Sequence, residues 1–105
     1  VMVTCSWQVH PAHLKSFEEH YPSMADERWD WEHPNRRVRA ICDELEIPLL
    51  DLLPAFRREA EASGEELHFP GGHWNARGHA LAAKELERFL AEHEAELLAA
   101  EATTP

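Results

Sequence analysis

Three observations predict an α/β layer fold built on a parallel sheet. Residues 1–5 and 47–52 are short, β-branched or aliphatic runs that suit buried strands better than helices of that length. Four stretches of helical periodicity separate and follow them, so the order is strand, helix, helix, strand, helix, helix. The second run is almost continuously apolar, with Pro48 near its start and then Leu49, Leu50 and Leu52, as in a parallel strand covered on both faces.

The first strand starts at residue 1, which reads as a chain cut from something longer unless Met2 is a start preceded by one added residue. Residues 6–10 form a loop, and Pro11 opens a short helix to Tyr21 with Leu14, Phe17 and Tyr21 on one side. Residues 22–34 are irregular. Trp29 and Trp31 within them read either as rings covering the edge of the core or as a platform on which a sugar ring or acyl chain stacks. A helix over 34–46 places Val38, Ile41, Cys42 and Leu45 at i, i+3, i+4 and i+7. Asp51 caps the next turn, and a short helix over 54–62 carries Phe56 inward before Ser63 and Gly64 end it. Asn75 caps the longest helix, whose stripe runs through His79, Ala82, Ala83, Leu86, Phe89, Leu90, His93 and Leu97. Residues 99–105 are a frayed tail.

One domain of 105 residues is long enough for a core but not for two. Ten Lys and Arg against twenty Asp and Glu leave a formal charge of -10, with no basic patch to release counterions from a phosphate backbone, so a nucleic-acid partner is excluded. No run approaches the roughly 20 apolar residues of a membrane span, and no basic region opens a secretory signal. Cys5 and Cys42 lie in apolar runs and read as small buried hydrophobes, not as a disulfide. Two strands cannot form a sheet buried on both faces. The remaining strands are expected from an absent N-terminal half, a second copy or a partner, and the isolated chain is expected to self-associate.

Chemistry concentrates between His68 and His79, where three histidines, three glycines and a proline lie before and in the first turn of the longest helix. His73 stands just outside that helix's N-terminus, where the helix dipole disfavours a cation and so suits the neutral imidazole of a general base. His68, His73 and His79, spaced five and six residues apart, match no short zinc-ligand motif, so no metal or other cofactor is expected.

Three segments carry a family resemblance: Gln8-Val9-His10-Pro11 after the first strand, Pro34-Asn35-Arg36-Arg37 leading to Ile47-Pro48-Leu49-Leu50-Asp51-Leu52, and Gly72-His73-Trp74-Asn75-Ala76-Arg77-Gly78-His79. Over residues 1–92 the chain resembles the C-terminal half of an SGNH (GDSL-like) hydrolase, a three-layer α/β/α fold of flavodoxin-like type. The domain is then a partial one over 1–98. The His-Trp-Asn form is similar to the branch that acts on polysaccharides at the cell envelope, which implies an extracytoplasmic site. The resemblance implies a serine esterase or O-acyltransferase acting on acyl, including acetyl, esters of carbohydrate, with His73 as general base. It casts Trp29, Trp31 and Trp74 as substrate-contacting residues. Trp74 and His79 could also form a staple fixing how the loop enters the helix, while Gly78 lets that helix pack close to the sheet.

The departures are equally specific. The family's acid belongs at position 70 or 71, which here are Pro70 and Gly71; Glu65 and Glu66 are near in sequence, but no spacing requires them. The Gly-Asp-Ser-like nucleophile block and the oxyanion blocks are absent, and Ser6, Ser16, Ser23 and Ser63 lack a nucleophile turn. The isolated chain is therefore expected to be inactive. The rival reading is a non-catalytic binding or interaction module that has lost the triad.

Overall fold

The computed structural model describes residues 1–26 and 28–102, so positions 103–105 of the expected tail lie outside the described residues. Five α-helices carry them: α1 (Ser6–Val9), α2 (Pro11–His20), α3 (His33–Glu44), α4 (Leu53–Ser63) and α5 (Ala76–Ala102), with a 3-10 turn at Pro22–Met24. Proline stands in the first turn of α2, α3 and α4, where its missing N–H costs no helical bond. Gly64, at φ 68°, ends α4 in the left-handed conformation. Ser6–Val9, expected as loop, is a helical turn whose start is braced by Gln8 Oε1 accepting from the Cys5 N–H at 3.0 Å.

The expected α/β fold is not found. Among the described residues there is no strand and no sheet, so neither the three-layer α/β/α architecture nor the hydrolase class argued from it is upheld. The two runs read as strands do lie side by side and parallel, but they meet in one isolated bridge, Met2 to Asp51. Met2 N–H donates to Leu50 O at 2.7 Å, and Leu52 N–H donates to Met2 O at 3.2 Å. The ladder stops there for physical reasons. The next bonds of the ladder would need an N–H at position 54, which is Pro54 in the first turn of α4, and among the described residues no third segment covers the outer edge, which leaves Val1 65%, Val3 61% and Ile47 51% exposed. β-Propensity describes how well side chains fit a pleated, covered surface, and these runs have none to fit.

What holds the chain together is a small core of Val9, Leu52, Leu53, Phe56, Leu67 and Ala82, with Trp74 and Leu81 packed against it. They come from four parts of the chain, with Leu52, Leu53 and Phe56 all from the start of α4, so α1, α4, the 67–75 loop and the start of α5 are fixed to one another. Beyond Ala82 the apolar stripe of α5 loses its cover, and Leu86, Leu90 and Leu97 are exposed. This projecting helix explains the radius of gyration of 16.2 Å, against about 13 Å for a compact chain of this length. Among the described residues no helix is long and apolar enough to cross a membrane.

A polar knot joins the segments that carry the family likeness. Gln8 Nε2 donates to Trp31 O (2.6 Å) and Asn35 Oδ1 (3.0 Å), and Asn35 Nδ2 donates to Asp51 Oδ1 (3.0 Å). Asp51 Oδ1 also accepts from Leu53 N–H at 3.0 Å, a turn bond from the residue before the N-cap of α4, which is Leu52 and not the expected Asp51. Asn35 is buried, so this chain of bonds satisfies groups that would otherwise be costly to bury. Gln8, Asn35 and Asp51 are thereby accounted for as structural.

Candidate functional site

The loop from Leu67 to Asn75 is fixed by its backbone. Phe69 N–H donates to His73 O (2.8 Å), Gly72 N–H to Phe69 O (2.9 Å) and Asn75 N–H to Leu67 O (3.0 Å), while His68 and Trp74 form an antiparallel bridge. Gly72 closes this turn at φ 98°, a conformation that favours glycine. Asn75 caps α5 by accepting from the Gly78 N–H at 3.0 Å, and its own amide donates to Glu66 O at 2.7 Å. Gly78 allows a close approach, but to the loop and not to a sheet: a Cβ there would stand 2.2 Å from Leu67 O. Trp74 and His79 meet edge-on at 5.4 Å, the expected staple.

The pinned loop presents His73 with its side chain exposed, on the rim of an open cavity of about 250 Å³ shared with Val3, Thr4, Gly72, Trp74 and His79. Among the described residues, no carboxylate bonds its imidazole. The two nearest candidates in sequence are turned elsewhere: Glu66 Oε1 lies 3.2 Å from His13 Nε2, and Glu65 lies 4.0 Å from Arg77. Ser6 is buried and no serine hydroxyl is hydrogen-bonded to a histidine among the described residues. Trp74 is half-buried against Phe56, with ring centroids 5.6 Å apart, and shares the cavity with His73. Trp29 and Trp31 are in a different place, in an aromatic cluster on α1 and α2. Trp31 packs edge-on against Phe17 (5.6 Å) and Trp7 (6.3 Å), and the half-exposed Trp29 stacks on Trp31 at 6.2 Å. The structure thus brings Trp74 to His73 and keeps the other two tryptophans with α2.

A second histidine group was not legible in the sequence. His10, His13 and His68 cluster beneath the loop, with ring centroids of His10 4.9 Å from His13 and 5.4 Å from His68. His10 Nε2 accepts from the Leu67 N–H at 3.1 Å, so that nitrogen carries no proton. His68 is 1% exposed and pairs with the Thr4 hydroxyl at 3.2 Å. Burial, reinforced by neighbouring His10, pushes its pKa down to about 4, and burial, then His13, lowers that of His10. His68, His73 and His79 do not converge, and among the described residues no group of three His, Cys, Asp or Glu side chains is placed to hold a metal ion. Cys5 and Cys42 are unpaired and half-buried, and burial raises the Cys5 thiol.

The chain matches no protein-family model, no curated protein and no solved structure in these comparisons.

Proposed function

We propose that the chain supplies His73 as general base to an acyl-transfer site for acyl esters of carbohydrate, completed by a serine that lies outside these 105 residues. The observation that carries the reading is the contrast at His73 itself: its backbone is held by the Phe69 bond and the His68–Trp74 bridge, while its imidazole is exposed beside an open cavity. A base has to be positioned without being consumed by internal bonds. Val3, which lines the same cavity, is 61% exposed and has no ladder partner among the described residues.

In this chemistry the serine Oγ attacks the acyl carbonyl as an imidazole nitrogen of His73 accepts the hydroxyl proton. Collapse of the adduct releases the alcohol, which takes that proton, and leaves an acyl-serine. A sugar hydroxyl or water then attacks the acyl-serine, giving its proton to His73, and the serine leaves with it. A longer product of the same gene that supplies the serine nucleophile should take up the acetyl group of p-nitrophenyl acetate. His73→Ala should lower that rate by about 10²- to 10⁴-fold, the usual contribution of a general base. Turnover unchanged by the substitution removes His73 from the mechanism.

A second reading is favoured by one specific observation, that Glu65 and Glu66 are directed to Arg77 and His13 and, among the described residues, no carboxylate orients His73. On that reading the chain is a binding module without acyl-transfer activity, and the longer product shows no turnover with or without His73.

A further inference from the structure

We propose that the groove along α2 binds an uncharged carbohydrate, with a sugar ring stacked on Phe17 and Tyr21 and its hydroxyls on Ser16 and His20. The groove encloses about 600 Å³, well inside the range of roughly 300–1,000 Å³ typical of small-ligand pockets. One wall is continuous aromatic surface. Trp7 stacks on Phe17 at 4.5 Å and 22°, and Phe17 meets Tyr21 at 5.1 Å. Trp31 braces that wall edge-on from behind, so the rings are set before a ligand arrives. Tyr21 is 51% exposed, with the His20 imidazole edge-on to its ring at 4.7 Å. Opposite stand Pro70 and Gly71, and a Cβ at Gly71 would meet nothing within 4 Å, so the loop leaves that side of the groove open.

The chemical class follows from what is missing from the lining. In a chain where 29% of residues are charged, no Lys, Arg, Asp or Glu lines this groove among the described residues. Among the described residues the ionisable side chains of the lining are the imidazoles of His13 and His20, and His13 already faces the Glu66 carboxylate at 3.2 Å, so the wall offers no guanidinium, ammonium or carboxylate of its own to a charged ligand. The remaining polar side chains of the lining are hydroxyls, which both donate and accept. An apolar ring face with a rim of neutral hydroxyls complements that combination. Gly71 lines the groove while the next two residues, Gly72 and His73, line the cavity at the general base, so a sugar held here lies one loop from His73. That link to acceptor delivery rests on the acyl-transfer reading; the binding itself does not.

The test titrates the 105-residue chain with neutral hexasaccharides of glucose, xylose, mannose and N-acetylglucosamine, following tryptophan fluorescence and calorimetric heat, with a hexauronate as the charged control. At least one neutral probe should bind saturably and in preference to the hexauronate. Tyr21→Ala should weaken it about tenfold, the worth of one good aromatic contact. Ala12→Trp, which fills the groove from an exposed position on α2, should abolish it, with unchanged far-ultraviolet dichroism showing that both variants fold. His73→Ala should bind like the parent. No saturable binding of any neutral probe, equal binding of the hexauronate, or parental affinity in both groove variants overturns the proposal. Sugar binding in a chain whose longer form shows no His73-dependent turnover leaves the groove standing and removes only the acyl-transfer reading. Turnover without sugar binding does the reverse.

Discussion

His68 and His73 lie five residues apart on one loop and differ in almost every physical respect. His68 is 1% exposed, ringed by Phe56, His10 and the Thr4 hydroxyl, and held neutral by burial. His73 is exposed on a cavity rim and pinned only through its backbone. The bridge between His68 and Trp74 turns the chain so that one imidazole enters the core as the other leaves it. Residue type is thus a poor guide to role here. The loop's inward histidine builds the platform from which its outward one is presented.

The sharpest way to break that arrangement is to remove the close contact beneath it. Gly78→Ala places a methyl 2.2 Å from the Leu67 carbonyl, a backbone atom that no rotamer change can move, and 3.0 Å from the Trp74 Cβ. Overpacking of this kind costs about 3 kcal/mol, against a gain of about 1 kcal/mol in helix propensity from losing glycine. The expected outcome is a net loss of roughly 2 kcal/mol or more, read from the urea midpoint at pH 7. A variant that is stabilised would show that α5 does not rest on the loop at Leu67.

Apart from α1, which was expected as loop, the helices were legible because each is specified locally. The apolar spacing of Val38, Ile41, Cys42 and Leu45, the prolines at 11, 34 and 54 and the Asn75 cap all act within one or two turns. The absence of a sheet was not, because a strand is defined by its neighbours, and residues 1–5 and 47–52 find only each other, at Met2 and Asp51. The place of His73 just before α5 could be anticipated from the Asn75 cap and the stripe that follows, but the exposure of its side chain could not. The histidine cluster could not, since His10 and Leu67 are 57 residues apart and no spacing rule connects them. The groove was half visible. Trp29 and Trp31 marked an aromatic region, but the rings that line the cavity, Trp7, Phe17 and Tyr21, looked like an ordinary helix face and its flank.

Acid should act on the inward histidine first. His68 is held near 4 in the fold against about 6.5 in an open chain, so the unfolded state binds the extra proton across that window. Its depressed pKa therefore leaves stability intact above pH 6.5 and erodes it as the pH falls toward 4. The loss at pH 5 is about 2 kcal/mol for this one group. His10 shifts in the same direction, and protonating its Nε2 also removes the acceptor that holds the Leu67 N–H. Asp26 and Asp30 are lowered by hydrogen bonds from Arg28 and Arg36, so their influence is lost only at more acid pH. Urea titrations at pH 7 and pH 5 should show the difference, and His68→Leu should reduce it. An unaltered pH dependence in His68→Leu would mean that His68 is not the sensor.

The smallest expected effect is the most informative about His73. If its imidazole takes no part in holding the fold, His73→Ala should change the urea midpoint by no more than the equivalent of about 0.5 kcal/mol, the range for a surface substitution away from special contacts. The side chain is exposed, and the bonds that hold the loop run through its backbone carbonyl, which alanine keeps. The same substitution should also leave the pH 7 to pH 5 difference intact, since the groups that set it are His68 and His10. A loss of 1 kcal/mol or more would mean that His73 is held by contacts of its own. It would then be a structural residue like His68, and the free side chain on which the acyl-transfer reading depends would no longer exist.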